Sequence, residues 1–165
     1  MNVVLSPANP RDAGLMHRIS LQAWRGTVNE NSTLFDETEE YVAATLERGG
    51  GFIVWVDGEP AGSVRYFPVA QDPTVWEVKR LGVIARLRGR DLGRRLMDAV
   101  TAAGSQAGIR ALQIGIRADQ PRLLRYYEAQ GFVRDDSVQL SSSNPRTAPA
   151  ITMIRRLTPA GASRP

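Results

Sequence analysis

The segment Leu81-Gly-Val-Ile-Ala-Arg-Leu-Arg-Gly-Arg-Asp-Leu-Gly-Arg-Arg-Leu-Met97 constrains this chain more than any other. An apolar strand pattern ends near Val83, and a loop of arginines and glycines follows. An amphipathic helix then begins near Leu92, with Leu92, Leu96, Ala99, Val100 and Ala103 on one face. Strand, glycine-containing loop and helix N-terminus make an anion-binding layout. The first amides of a helix have no internal partner and carry partial positive charge, so a pyrophosphate can accept from them. Arg86, Arg88, Arg90, Arg94 and Arg95 add charge and fork-shaped donors. The same arginines also suit a plain solvated helix face. Gly89 and Gly93 weigh against that alternative, because they sit where backbone approaches something closely. Neither G-x-G-x-x-G nor G-x-x-x-x-G-K-[ST] is present, so the loop is neither a dinucleotide fingerprint nor a Walker loop.

The rest of the chain supplies alternating elements around this segment. Asn2–Leu5 predicts a first strand, and Asn9-Pro10 opens a helix with Leu15, Ile19 and Ala23 at helical spacing and Met16 and Trp24 beside them. Asp36-Glu-Thr-Glu39 resembles a capping box for a second helix, whose stripe is Tyr41, Val42 and Leu46. Phe52–Val56 and Ala61–Phe67 form a hairpin about Asp57-Gly58. Gln71-Asp-Pro-Thr74 reads as a loop and Trp76–Val83 as a long strand. The helix from Leu92 to Ala107 stops at Gly108. Ala111–Ile116, Phe132–Leu140 and Ile151–Leu157 read as strands, and Pro121–Gln130 as a helix closed by Gly131. The order β-α-α-β-β-β-α-β-α-β-β predicts an α/β chain with a mixed sheet and helices on both faces. Its 165 residues suit one domain over 1–158, with a flexible tail at 159–165.

Composition excludes several chemistries. Without cysteine there is no disulfide, thiolate metal site or cysteine nucleophile, and a single histidine, His17, rules out any site needing two. No metal is expected. No apolar stretch approaches the ~18 residues of a membrane span, and the N-terminus lacks the pattern of a signal peptide. The expected location is cytoplasmic. The net charge of +4 is uneven: residues 1–60 hold four arginines against nine acids, and residues 61–165 hold seventeen bases against eight acids. A basic half suits a polyanion, of which a phosphorylated cofactor is one. Aromatics are only 7% and do not interleave with the basic stretches, so a nucleic-acid stacking platform is not expected.

Arg88-Gly89-Arg90-Asp91-Leu92-Gly93 resembles the [QR]-x-x-G-x-[GA] acetyl-CoA signature of GNAT acetyltransferases, with Val83 standing five residues before Arg88. Tyr127-Glu-Ala-Gln-Gly131-Phe132 is similar to that family's later Y-x-x-x-G-F motif, and Ser6-Pro7-Ala8 with Arg11-Asp12-Ala13 resembles its opening. The resemblance covers residues 2 to about 157. It implies a twisted, mostly antiparallel sheet of about seven strands and about four helices, splayed between strands 4 and 5. Position 91 departs from the pattern: aspartate stands where the family usually has glycine, beside the expected pyrophosphate. Gln120 stands where an asparagine is common.

The resemblance also implies roles. Acetyl-CoA would bind through Leu81, Gly82, Val83, Arg88, Gly89, Arg90, Asp91, Leu92, Gly93, Arg94 and Gln120. Its arm would pair with backbone near Leu81 and Val83, and the Leu81 amide would polarise the acetyl carbonyl. Tyr127 would be the general acid for the departing thiolate, with the adjacent Tyr126 expected to do the packing. Glu77, six residues before Val83, would be the general base; the alternative is an ion pair with Lys79 or Arg80. Strand alternation would put Glu77, Lys79, Leu81 and Val83 on one face. Trp24, Asn29, Glu30 and Phe35, near the first interhelical loop, would contact the acceptor, and the Ser141–Pro149 loop is a second place for specificity. His17 is expected to be structural or exposed. The function implied is acetyl transfer to the primary amine of a small molecule. The alternatives are a protein or peptide amine, or an acyl-CoA-binding module without turnover. The expected partners are the amine acceptor and, as an open alternative, a second copy in a homodimer; neither nucleic acid nor membrane is expected.

Overall fold

The computed structural model describes residues 1–28 and 30–158. Its strands are β1 (Val3–Ala8), β2 (Gly50–Val56), β3 (Glu59–Val69), β4 (Asp72–Val83), β5 (Ala111–Ile116), β6 (Val133–Arg134) and β7 (Ile151–Arg156). The helices are α1 (Ala13–Trp24), α2 (Glu39–Arg48), α3 (Leu92–Ala107) and α4 (Arg122–Glu128), with 3-10 turns at Pro10–Asp12, Thr33–Asp36 and Ala85–Leu87. The strand order is β1-β2-β3-β4-β5-β7-β6. Pairing of β1 with β2, β2 with β3, β5 with β7 and β6 with β7 is antiparallel, and β4 with β5 is parallel. A parallel neighbour requires a crossover, which α3 provides. This is the mixed, mostly antiparallel α/β fold that the resemblance implied, with the expected element order. No helix among the described residues is long and apolar enough to cross a membrane.

The chain divides into two compact units. The first comprises Met1–Phe67 and Lys79–Val100. In it, Ala13, Met16 and Ile19 of α1 pack with Val42 and Leu46 of α2 and Ile53 of β2. The 3-10 turn that precedes α1 is closed by a reciprocal cap, in which the Asn9 side chain accepts from the Arg11 amide and Asp12 accepts from the Asn9 amide, both at 2.9 Å. The expected start of α2 shifts: Thr38, not Asp36, caps it, accepting from the Tyr41 amide at 3.1 Å. Asp36 lies in the preceding 3-10 turn. The Asp57-Gly58 turn has φ of 50° and 82°, the left-handed pair that a tight hairpin needs. β1 also runs longer than expected and takes in Pro7, which an edge strand tolerates.

The second unit comprises Pro68–Val78 and the chain from Thr101 onward. Val69, Val75 and Ala111 form a buried cluster with Ile154 against it. The β4–β5 register consists of Val75↔Ala111, Trp76↔Leu112 and Glu77↔Gln113. β5 pairs along its whole length with β7. Two sequence expectations are corrected here. Asp72–Thr74 begins β4 rather than forming a loop. The strand expected over Phe132–Leu140 shrinks to Val133–Arg134. Its cause is local: the Asp135 carboxylate accepts from the Ser137 amide at 2.9 Å and from its hydroxyl at 2.5 Å, which turns the backbone away from the ladder.

Candidate active site

The glycine–arginine loop is held at both ends and open in the middle. Below Val83, the Ile84 amide donates to the Ala61 carbonyl at 2.8 Å, and the 3-10 turn is closed by Leu87 to Ile84 at 2.9 Å and Arg88 to Ala85 at 3.2 Å. Leu87 is buried and anchors this turn. Gly89 follows at φ 81°, a left-handed conformation that glycine adopts freely. At the far end the first helical bond is from the Arg95 amide to the Asp91 carbonyl, at 3.1 Å. Leu92, Leu96 and Val100 bury the inner face of α3. Among the described residues, no amide from Gly89 to Arg94 reaches a protein acceptor. The segment is therefore a continuous run of donors at a helix N-terminus.

The arginines around this run have different uses. Arg90, Arg94 and Arg95 are exposed, and none has a carboxylate partner among the described residues. Arg86 pairs with Glu59 at 2.8 Å. Arg88 is a brace: its Nε donates to the Val83 carbonyl at 3.1 Å and its Nη2 to the Ala23 carbonyl. Through those two nitrogens it ties the loop to β4 and α1. Asp91 sits at φ 62° with its side chain exposed. Neither Arg88 nor Arg90 pairs with its carboxylate. Left-handed backbone costs a non-glycine residue about 1 kcal/mol, and aspartate bears it better than most.

β4 changes direction at Arg80, where φ is 58°. A left-handed residue inside a strand interrupts the two-residue alternation expected over Glu77, Lys79, Leu81 and Val83 at this point. Gly82 has no room for a side chain, since a Cβ there would lie 2.7 Å from Nε1 of Trp24 and 3.0 Å from Cβ of Ala23. Trp24 thus packs on the backbone of the strand expected to bear the cofactor. Glu30 and Phe35 are exposed in the connection between α1 and α2. Asn29 lies outside the described residues, as does the tail expected at 159–165.

A cluster that the sequence analysis missed fixes this connection to the sheet. Glu37 accepts from Nη2 of Arg65 at 2.6 Å and from Nε of Arg80 at 2.9 Å, while Nη2 of Arg80 donates to Thr33 Oγ1 at 3.0 Å. The side chains of Arg65 and Glu37 are 2% and 5% exposed. Burial alone pushes the Glu37 carboxyl up, but the charges of Arg80 and Arg65 and their hydrogen bonds outweigh it and hold the group below the usual carboxylate range. Burial pulls the Arg65 guanidinium down, and Glu37 partly restores it. Lys79 lies over the Tyr41 ring, 5.9 Å from its centroid. The only sequence signal for this cluster was Arg65 itself, a cation inside the apolar run Ala61–Phe67.

Glu77, Tyr127 and Gln120 belong to the second unit. Glu77 is 2% exposed. Its Oε1 accepts from Gln113 Nε2 at 3.0 Å and from the Ser141 amide at 2.8 Å, and its Oε2 accepts from Ser141 Oγ at 2.6 Å. Its partners are therefore Gln113 and Ser141 rather than Lys79 or Arg80. Gln113 also donates to the Gln139 carbonyl at 3.0 Å, so Glu77 and Gln113 together hold the start of the Ser141–Pro149 loop. Nothing in the sequence linked Ser141 to Glu77.

Tyr127 is 9% exposed and Tyr126 is 39% exposed, so the packing expected of Tyr126 falls to Tyr127. On the short helix α4 only one of two adjacent residues can face inward, and here it is Tyr127. Its ring meets Phe132 edge-on at 5.7 Å and Tyr126 at 5.2 Å. Burial, with Tyr126 beside it, pushes the Tyr127 hydroxyl far above the ordinary phenol range, so it holds its proton at any physiological pH. Gln120 precedes α4 and accepts from the Leu123 amide at 3.1 Å. No cluster of potential metal ligands is found among the described residues.

Comparison with known proteins adds an independent line. The sequence model of the acetyltransferase (GNAT) family matches residues 16–132, more than half of the chain. An uncharacterised N-acetyltransferase of Archaeoglobus fulgidus is 23% identical over 126 residues, covering 73% of this chain and 86% of the relative. The ribosomal-protein-S18-alanine N-acetyltransferase of Escherichia coli has a similar structure, with a TM-score of 0.75 at 18% identity over 99% of each chain. The PaiA N-acetyltransferase of Thermoplasma acidophilum, solved in complex with coenzyme A, gives 0.76 at 14% identity over 94% of this chain and 99% of its own. At these identities the structural likeness is one of fold.

Proposed function

This chain belongs to the GNAT acetyltransferase family, and on that premise we propose that it moves an acetyl group from acetyl-CoA to the primary amine of a small molecule, by direct attack in a ternary complex. The observation that carries the reading is the run of amides from Gly89 to Arg94 without protein acceptors, bordered by the exposed guanidinium groups of Arg90, Arg94 and Arg95. Such a run fits a pyrophosphate by both charge and hydrogen-bonding capacity. Leu81, Gly82 and Val83 would hold the pantetheine arm through their backbone, and Gln120 would support it from ahead of α4. When bound, acetyl-CoA supplies the activated acyl group.

The remaining roles fall to side chains and backbone of this chain. The Leu81 amide polarises the acyl carbonyl. Tyr127, kept protonated by burial, holds the proton that the thiol product needs. Glu77, whose carboxylate accepts from Gln113 and Ser141, is the candidate to take the proton from the ammonium of the acceptor, directly or through water. Trp24, Glu30 and Phe35 would contact the acceptor, as would Asn29, which lies outside the described residues. The test is calorimetry with acetyl-CoA followed by thiol release over a panel of amino acids, polyamines, aminoglycosides and short peptides. Binding with turnover on small amines supports the reading. Turnover on peptides alone would move the acceptor to protein. Tight binding without turnover on any amine would mark a binding module.

Two substitutions probe single residues within this scheme. Glu77→Gln is expected to slow transfer by about 10²-fold near neutral pH, with the deficit shrinking at high pH where free amine is abundant. A pH–rate profile reads this directly, and a deficit of constant size across pH would leave Glu77 only the task of holding Ser141. Asp91→Gly removes a negative charge beside the diphosphate and relaxes a left-handed residue. It is expected to tighten acetyl-CoA binding by about two- to tenfold in calorimetry, the size of an exposed charge effect. Weaker binding would give the aspartate a positive role.

A further inference from the structure

We infer that Glu37 and Arg80 are positioning residues for the transfer: their ion pair pins the left-handed residue in β4, and so fixes the direction of the Leu81 N–H that follows it. The inference rests on the reading of Leu81 as the donor to the acyl carbonyl.

Arg80 is a non-glycine residue at φ 58° inside a twelve-residue strand. Its own Cβ disfavours that conformation, and such residues persist only where their surroundings over-determine them. The surroundings here are specific. Arg80 is 17% exposed, and its Nε and Nη2 are both engaged, with Glu37 at 2.9 Å and Thr33 at 3.0 Å. Glu37 cannot shift freely, because its other oxygen holds the buried Arg65 at 2.6 Å. Thr33 and Glu37 are themselves set by a compact turn. In it, Ser32 Oγ accepts from the Leu34 amide at 3.2 Å, the Glu37 amide donates to the Leu34 carbonyl at 3.3 Å, and Leu34 is fully buried.

The consequence follows from backbone geometry. The peptide unit between Arg80 and Leu81 turns with the Arg80 dihedrals. If Arg80 relaxed to extended backbone, the alternation of β4 would be restored and the Leu81 amide would swing away from its present direction. A donor to a developing negative charge works only when it is aimed beforehand. The clamp supplies that aim from the connection between α1 and α2, which also carries Glu30 and Phe35. The backbone connection that bears Glu30 and Phe35 and the acyl-polarising amide are thus tied to one buried charge cluster.

The test uses Arg80→Gly, which keeps the left-handed backbone accessible but removes the clamp, and Glu37→Gln, which keeps the shape but not the charge. Arg80→Lys serves as the partial rescue. Each is assayed well below its melting temperature for acetyl-CoA affinity, kcat, KM and hydrogen exchange at the Leu81 amide. Arg80→Gly is expected to leave acetyl-CoA affinity within about twofold and to lower kcat by about 10²-fold, the scale of losing one preorganised donor. Leu81 exchange should quicken in both Arg80→Gly and Glu37→Gln, and Arg80→Lys should fall between Arg80→Gly and the native chain. Native kcat in Arg80→Gly, equal losses of kcat and acetyl-CoA affinity, or unaltered Leu81 exchange would each overturn the inference. Its failure is distinguishable from failure of the functional reading. A native chain that transfers acetyl to no amine overturns that reading, and this inference with it. A native chain that transfers normally beside an unimpaired Arg80→Gly overturns the clamp alone.

Discussion

Tyr127→Phe is expected to lower turnover by about 10²-fold or more while leaving acetyl-CoA affinity unchanged, the range typical of a general acid. The substitution removes one oxygen and retains the ring that packs edge-on against Phe132 and Tyr126. The fold should therefore lose little, since phenylalanine fills the same site. The chemistry should lose much, because in the proposed scheme this hydroxyl supplies the proton for the leaving thiolate, and burial keeps the proton in place until then. Steady-state kinetics with calorimetry separates the two effects. Losses of equal size in turnover and affinity would show that Tyr127 matters for packing. Tyr126→Phe, at an exposed position, is the comparison and should lower turnover far less than Tyr127→Phe.

Glu37→Ala is expected to destabilise the protein by about 3–5 kcal/mol, because it leaves the guanidinium groups of Arg65 and Arg80 buried without their counter-charge. Arg65 suffers most, since its Nη1 is already buried without a hydrogen-bond partner among the described residues. The pH dependence has a definite sign. The folded Glu37 carboxyl lies below its ordinary value of 4.5, so the unfolded chain takes up this proton first as pH falls. The stabilisation is complete above 4.5 and is lost as pH drops through the lower folded value. Urea melts of the native chain and Glu37→Gln between neutral pH and about pH 3 would show the native curve falling through this acid window and the variant curve flatter there. Parallel curves would mean that the carboxylate is not held by its arginines.

How far the sequence reveals this molecule depends on the range of the interactions. α3 is legible to its last residue, because a strong apolar period begins just after a glycine-rich loop and stops at Gly108. β5 is equally clear as a short apolar run. The strand expected at Phe132–Leu140 fails through a single side chain, since Asp135 folds back on Ser137 and competes with the ladder. Alternation along β4 fails for a different reason. It assumes extended backbone throughout, and Arg80 is left-handed. The Glu37 cluster is illegible because its members lie 28 and 43 residues apart, and an acid ahead of a helix already has a local explanation. Ser141 lies 64 residues from Glu77, with no pattern to join them. The Gly89–Arg94 loop, by contrast, is local: its donors, its left-handed glycine and its arginines occupy one continuous stretch.

The account depends on that stretch binding a diphosphate through its main chain. Titrating the ¹⁵N-labelled protein with coenzyme A, and following the amide resonances from Gly89 to Arg94, tests this most directly. The account predicts that these amides move together at the same ligand concentration, and that coenzyme A moves them far more than pantetheine, which lacks the phosphates. Binding that leaves them in place while other amides respond, or pantetheine that moves them as far as coenzyme A does, would contradict it.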